Sequence, residues 1–173
     1  MRALALLGFW ASLSAAAQGG VRLVLWNYEP VLKYGSGVEL DTHLGLGYDH
    51  DLEKRLSYGV QLRYALGSGS FVLTYHSAFH FSDNDNGSFY LGPIVGLRRF
   101  GSLENAVVVP VGLRMGVRGG LERFYADLHV GGQYNMGGGS INADIGNGGY
   151  DLLKGTFCFG LDLAWGWEKN SRH

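Results

Sequence analysis

The sequence predicts an all-β protein: an eight-stranded antiparallel up-and-down transmembrane β-barrel. The first ground is the last long strand, residues 156–167. There Phe157, Phe159, Leu161, Leu163, Trp165 and Trp167 alternate with Thr156, Cys158, Gly160, Asp162, Ala164 and Gly166. Side chains of a strand point to opposite faces with a period of two, so this segment separates an apolar environment from a tight polar one. The second ground is length. About a dozen residues exceeds the roughly five or six usual in soluble sheets, and a strand of that length tilted by about 45° crosses an apolar band of roughly 25 Å. The third is recurrence, since the same alternation returns along most of the chain between compact connections.

Taken in order, residues 21–28 form a short and only fairly regular first strand. In residues 37–48, Val38, Leu40, Thr42, Leu44, Leu46 and Tyr48 oppose Glu39, Asp41, His43, Gly45 and Gly47. Residues 56–66 set Leu56, Tyr58, Val60, Leu62, Tyr64 and Leu66 against Ser57, Gly59, Gln61, Arg63 and Ala65. Residues 71–81 set Phe71, Leu73, Tyr75, Ser77, Phe79 and Phe81 against Val72, Thr74, His76, Ala78 and His80. Residues 89–100 alternate less cleanly. Pro93 cannot donate a ladder hydrogen bond and predicts a local irregularity there. Residues 106–118 place a valine-rich row opposite Arg114 and Arg118. Residues 121–136 place Phe124, Leu128, Val130 and Tyr134 opposite Arg123, Asp127, His129 and Gln133. Residues 67–70, 83–87, 101–105 and 119–120 read as hairpin connections, and the longest link is 137–153. No helical crossover fits between the strands, so the pairing is antiparallel.

Which face meets lipid follows from bulk and chemistry. The apolar row is too large and too aromatic to fill the interior of an eight-stranded barrel, which accommodates modest side chains or one small ligand. The opposite row is rich in glycine and alanine, as a crowded lumen requires. Lysines 33, 54, 154 and 169 fall in connections, at a strand start or in the tail, whereas a water-facing sheet displays lysine. The apolar face is therefore outside. Tyr48, Tyr58, Phe81, Phe89, Trp165 and Trp167, near strand ends, are the expected interfacial aromatics. A soluble periplasmic calycin-like barrel would turn the same two faces the other way.

The 173 residues carry a net charge of −1, which gives nucleic acid no basic footprint to bind. The 29 glycines interleave with regular apolar alternation and so belong to packed strands. Met1-Arg2, the apolar run 3–13 and Ser14-Ala15-Ala16-Ala17 have the form of a signal peptide cleaved after Ala17. Residues 18–173 then form the barrel domain. Cys158 is the single cysteine, so no internal disulfide is possible.

The inward row contains Glu39, Asp41, Asp127 and Asp162 together with Arg63, Arg98, Arg114, Arg118 and Arg123. Buried charges must pair, and the planar fork of arginine suits that task. A filled, charged lumen follows, and removal of Arg114 is expected to be costly if it leaves a buried partner unpaired. His43, His76, His80 and His129 also face inward. His76 and His80 lie about 13 Å apart along one strand, at about 3.3 Å per residue, so they do not share a metal. No zinc spacing, P-loop or hydrolase elbow occurs, and neither cofactor nor metal is expected.

With its signal peptide, its paired long strands and the segments 47–57 (GYDHDLEKRLS) and 89–96 (FYLGPIVG), the chain resembles the small outer-membrane β-barrel proteins of Gram-negative bacteria, the OmpA/OmpX/OmpW-like class, over about residues 20–167. Segment 47–57 reads as a turn between two strands. The resemblance implies a monomer in the outer membrane with periplasmic termini, surrounded by lipid and lipopolysaccharide and inserted by the barrel-assembly machinery. Members often end on an aromatic residue, whereas here Trp167 is followed by residues 168–173. His80-Phe81-Ser82-Asp83 is similar to the His-x-Ser-Asn stretch of lipid A deacylases, but that motif lies near the carboxyl end in those enzymes. The expectation is a structural or envelope-associated, non-enzymatic protein, with a lipid A-modifying hydrolase as the alternative.

Overall fold

The computed structural model describes residues 18–33, 37–53, 55–81, 87–100, 107–121, 124–137, 150–152 and 154–166. The predicted signal peptide lies outside the described residues. Nine strands run in chain order: β1 (Gln18–Lys33), β2 (Gly37–Glu53), β3 (Leu56–Ala65), β4 (Ser70–His80), β5 (Gly87–Phe100), β6 (Val107–Leu121), β7 (Phe124–Met136), the three-residue β8 (Tyr150–Leu152) and β9 (Gly155–Gly166). Each long strand pairs antiparallel with its neighbours in sequence, and β9 returns to β1, which also pairs with β2. The ring of eight long strands is thus closed, and no edge is left to template aggregation. Short β8 extends the β9 side of the wall against Val31 to Lys33 of β1.

The alternation predicted from sequence is the alternation observed. In β4 buried and exposed residues succeed one another with a period of two, and β7 does the same from Asp127 onward. Leu62, Leu113 and Leu128 are more than half exposed on the outer face, while Gln61, Arg114 and Asp127 beside them are buried.

Strand β1 is twice as long as its sequence suggests, because a bulge hides its periodicity. The β1–β2 register shifts between Val24 and Asn27, and the β1–β9 register between Val24 and Trp26. One extra residue at Leu25 reverses the phase. Arg22 and Val24 point inward before it, and Asn27, Glu29 and Val31 after it.

All three prolines sit at interruptions of a ladder. The β4–β5 register skips from His76–Ile94 to Phe79–Leu91, beside Pro93. The β5–β6 register skips from Val95–Val111 to Arg98–Val108, beside Pro110. Pro30 falls between the last β1–β9 pair, Tyr28–Phe159, and the first β1–β8 pair, Val31–Leu152. Proline has no N–H to give a ladder, so each occupies a place where none is required.

Two expected turns are strand instead. Asp49 to Asp51 continue β2 and pair with Ser57 to Gly59, so the connection shrinks to the region of residues 54–55. Gly119 and Gly120 stay in β6, paired with Ala126 and Tyr125, and Leu121 pairs with Phe124. At Gly120 a Cβ would lie 2.5 Å from the Tyr125 Cα, so the close approach of the two strands requires glycine there.

The aromatic residues form two bands. Tyr58, Phe81, Phe89 and Trp165 lie toward the end of the barrel that carries the termini. Phe81 packs on Phe89 at 5.4 Å and Trp165 on Phe124 at 4.7 Å. Tyr48 faces outward at half-burial but stands within β2 rather than at its end. Trp167 lies outside the described residues. Four of the six aromatics singled out from sequence, Tyr58, Phe81, Phe89 and Trp165, belong to this one end. Toward the opposite end, Tyr64 packs against Phe71 at 5.0 Å with its ring tilted by 53°, and Tyr134 and Phe157 are also exposed. Phe71 and Phe81 are separated along β4 by about 23 Å of barrel height, taking roughly 3.3 Å per residue and a tilt of about 45°. That matches the apolar band.

Candidate functional site: the barrel interior

Space for the interior is made by glycine. Long inward side chains stand opposite glycines on the adjacent strand: Arg22 and Gln61 face Gly47, Arg63 faces Gly45, and His76 faces Gly59. Around the other wall Arg114 lies between Gly92 and Gly131, Tyr90 faces Gly116, and His129 lies between Gly116 and Gly160. Each long side chain therefore lies across the space that a neighbour's Cβ would occupy. An ideal Cβ at Gly160 would sit 2.5–2.6 Å from the Asn27 carboxamide, whereas at outward-facing Gly132 it would meet nothing within 4 Å. Gly160→Val is expected to destabilise the barrel by about 1–3 kcal/mol through overpacking, and Gly132→Ala to leave it unchanged. Urea unfolding midpoints of the two variants in detergent check this, and equal midpoints would contradict it.

Near the termini the interior is organised by Arg22, which is fully buried. Its Nε donates to Asp49 at 2.9 Å, its Nη1 donates to Asp127 and to Asp162 at 2.9 Å each, and its Nη2 also bonds Asp49. These carboxylates are held from further sides. Tyr90 donates to Asp127 at 2.6 Å, and Tyr125 to Asp49 at 3.1 Å. Asn27 and Gln61 donate to Asp162 at 2.7 and 3.1 Å, and His76 Nε2 lies 3.1 Å from Asp49. Arg118 reaches Asp49 at 3.2 Å and Asp127 at 3.5 Å, with its guanidinium over the Tyr125 ring. His129 Nε2 meets Asn27 Oδ1 at 2.9 Å.

Toward the other end Arg98 organises a second cluster. It donates to Glu29 at 2.8 Å, to Asp41 at 3.2 Å, and to the Ser70 and Ser68 hydroxyls at 2.8 and 2.9 Å. Asp41 also accepts from the backbone N–H of Gly67 at 2.8 Å, which ties the cluster to the β3–β4 turn. Gln133 donates to Glu29 at 2.9 Å.

Of the residues singled out from sequence, Asp41, Arg98, Arg118, Asp127 and Asp162 lie in these clusters. Glu39 is on the same face but half-exposed. Arg123 lies outside the described residues. Arg63 and Arg114 face inward, yet no carboxylate approaches either within 4.0 Å among the described residues. Arg63 donates to Thr74 at 2.8 Å, and Arg114 lies over the Tyr90 ring at 5.6 Å. The large cost anticipated for removing Arg114 depended on an ion-pair partner. With no such partner in contact, that expectation passes to Arg22.

His43, His76, His80 and His129 are all buried. His80 stands between Ser57 (2.9 Å to Nε2) and Ser88 (2.8 Å to Nδ1) on the inner wall. Ser82, its possible partner in a hydrolase, lies outside the described residues. Among the described residues no three His, Cys, Asp or Glu side chains are placed to hold a metal ion.

Sequence reasoning missed Arg22, Glu29 and Asn27 because the bulge at Leu25 breaks their phase. It missed Asp49 because Asp-His-Asp reads as a turn. A signal for Asp49 was present, since Gly47 and Asp49 continue the inward row of Asp41, His43 and Gly45.

No protein-family profile and no curated protein sequence matches this chain. Among solved structures, the N-terminal β-barrel domain of Pseudomonas aeruginosa OprF superposes with a TM-score of 0.58 at 12% identity, covering 87% of this chain and 99% of that one. Neisserial surface protein A (NspA) superposes with a TM-score of 0.58 at 11% identity, covering 86% and 97%. With its closed ring of eight antiparallel strands, its apolar exterior and these two likenesses, the chain has the fold of the small outer-membrane β-barrels.

Proposed function

We propose that this protein is an integral outer-membrane β-barrel whose charged interior is a structural plug and whose role is envelope-associated and non-enzymatic. The observation that carries the reading is the sorting of side chains. Every long strand exposes large apolar residues outward, and the buried polar residues are turned in, most of them bonded to one another. A soluble monomer rarely exposes more than a few hundred Å² of contiguous apolar surface, and here such surface girdles the whole barrel. In lipid that surface is at home, and a closed ladder leaves few backbone groups unpaired. The inverse sorting expected of a soluble calycin-like binder finds no support in these faces.

The protein is exported by the signal peptide 1–17 and inserted as a monomer by the barrel-assembly machinery. The strand ends at Gln18, Glu53, His80, Leu121 and Gly166 face the periplasm, and those at Lys33, Ala65, Phe100 and Met136 face outward, toward lipopolysaccharide. The position of His80 favours a non-enzymatic reading: both its ring nitrogens are engaged by serines of the inner wall, away from lipid acyl chains.

Membrane extraction followed by a denaturing gel with and without boiling tests the reading. The expected result is a membrane-bound protein whose mobility changes on heating. A protein recovered in the periplasmic fraction, folded without detergent and unshifted by heat, would refute it. Loss of lipid A deacylation on Ser82→Ala would instead establish the hydrolase.

A further inference from the structure

We infer that Arg99 holds a phosphate of a lipid in the outward leaflet, which in an outer membrane is lipid A, against the lipid-facing wall of the barrel. Arg98 and Arg99 are consecutive in β5, so they point to opposite faces. Arg98 is turned in and takes Glu29 and Asp41. Arg99 is turned out and exposed, and among the described residues no acid pairs with it. Among the described outward side chains of the long strands it is the one lysine, arginine or carboxylate.

Its place on the wall is set by register. Arg99 is the last residue but one of β5, and it pairs with Phe71 of β4 and Val107 of β6, at the outward ends of those strands. Phe71 packs on Tyr64, so the cation stands in the outer aromatic band. Two residues along each strand toward the periplasm, Leu62, Leu73 and Leu97 pair across β3, β4 and β5, and all three are exposed. A cation flanked by aromatic rings therefore stands directly above an aliphatic row.

That order is the order of an anionic lipid, with its phosphate above its acyl chains. A cation on the lipid face is costly at the bilayer midplane and tolerated at its edge, where a long side chain rests its stem on apolar surface and reaches the polar layer. The planar fork of arginine grips phosphate through two parallel N–H···O bonds. The buried acids that would compete for it lie on the other side of the wall and are engaged by Arg22, Arg98 and Arg118. The leucine row selects a lipid over a free phosphate, because acyl chains attached to the phosphate are sheltered along it.

The role of Arg99 presupposes the membrane placement proposed above. The test therefore uses protein taken from the membrane fraction into detergent that shows the heat-dependent gel shift. Protein lacking either property would fail that placement rather than the assignment of Arg99. Native mass spectrometry of the detergent complex, titrated with lipid A, should show saturable retention of the lipid. Lipid A freed of its phosphates should be retained about tenfold more weakly, and Arg99→Gln should weaken retention of intact lipid A to the same degree, as expected for loss of a charge-assisted hydrogen-bonded pair. Equal retention of the two lipids by the wild type, or of lipid A by wild type and Arg99→Gln, would overturn the assignment. Equally tight binding of inorganic phosphate alone would also overturn it, since the leucine row would then contribute nothing. Should Arg99→Gln fail to fold, benzoylphenylalanine in place of Val107, beside Arg99, decides. Illumination should crosslink it to lipid A and spare the phosphate-free form, and equal crosslinking of the two would speak against a phosphate site there.

Discussion

Arg22→Met is expected to be the most damaging single substitution on the inner wall. Arg22 is fully buried and bonds three aspartates that are themselves almost completely buried. Removing one partner of a buried ion pair costs about 3–5 kcal/mol, because the other is left charged and without a counter-ion. Here three carboxylates lose their shared partner, so the upper part of that range, or failure to close the barrel, is expected. Arg118→Met removes a cation from the same cluster. Arg118 is partly open to solvent, the two buried aspartates it touches keep Arg22, and the third, Asp51, is half-exposed, so a smaller loss is expected. Urea titrations in detergent, read by the heat-sensitive gel shift, would check the order. A midpoint for Arg22→Met equal to that of Arg118→Met would mean that Arg22 does not organise the cluster.

Leu128→Arg is expected to be the most damaging substitution on the outer wall. Leu128 lies within β7 and is the most exposed of the outward leucines, at 64%. In water such a change would fall within the ±0.5 kcal/mol typical of surface substitutions. A cation on the lipid face of a membrane barrel costs about 2–4 kcal/mol near the bilayer midplane and little at its edges. The measurement is the stability of the variant refolded into lipid vesicles, compared with Val107→Arg near the outward end of β6. A large loss for Leu128→Arg beside a small one for Val107→Arg fits a membrane-embedded belt. Equal, negligible losses would point to an outer face that meets water.

Most of the fold is legible in the residues because a strand has one unvarying local rule. Alternation in β3, β4, β7 and β9 puts Leu62, Tyr75, Leu128 and Trp165 on one side and Gln61, His76, Asp127 and Asp162 on the other. Pro93 marks a ladder skip because it lacks an N–H, a property of the residue itself. The rule fails where a single residue is inserted. At Leu25 the backbone bulge shifts the phase, and nothing in the side chains of Val24, Leu25 and Trp26 announces it. It also fails where polar residues resemble a turn. Asp49 and His50 are turn formers by composition, but strand pairing with Tyr58 and Gly59 holds them in β2.

An exterior and an interior, the antiparallel order of strands and the presence of opposite charges inside all follow from period and composition, which each strand carries alone. Which charge meets which is settled by the closing of the barrel. Arg22 lies 105 residues from Asp127 and 140 from Asp162, and closing the ring brings them to 2.9 Å. The shear of the strands and the placing of Gly47, Gly92 and Gly131 set which side chains share a level. Among the described residues, that geometry gave the buried acids to Arg22, Arg98 and Arg118 and left Arg63 and Arg114 with none within ion-pair distance. Ion pairing depends on distance, and between strands distance is a property of the closed barrel rather than of any segment.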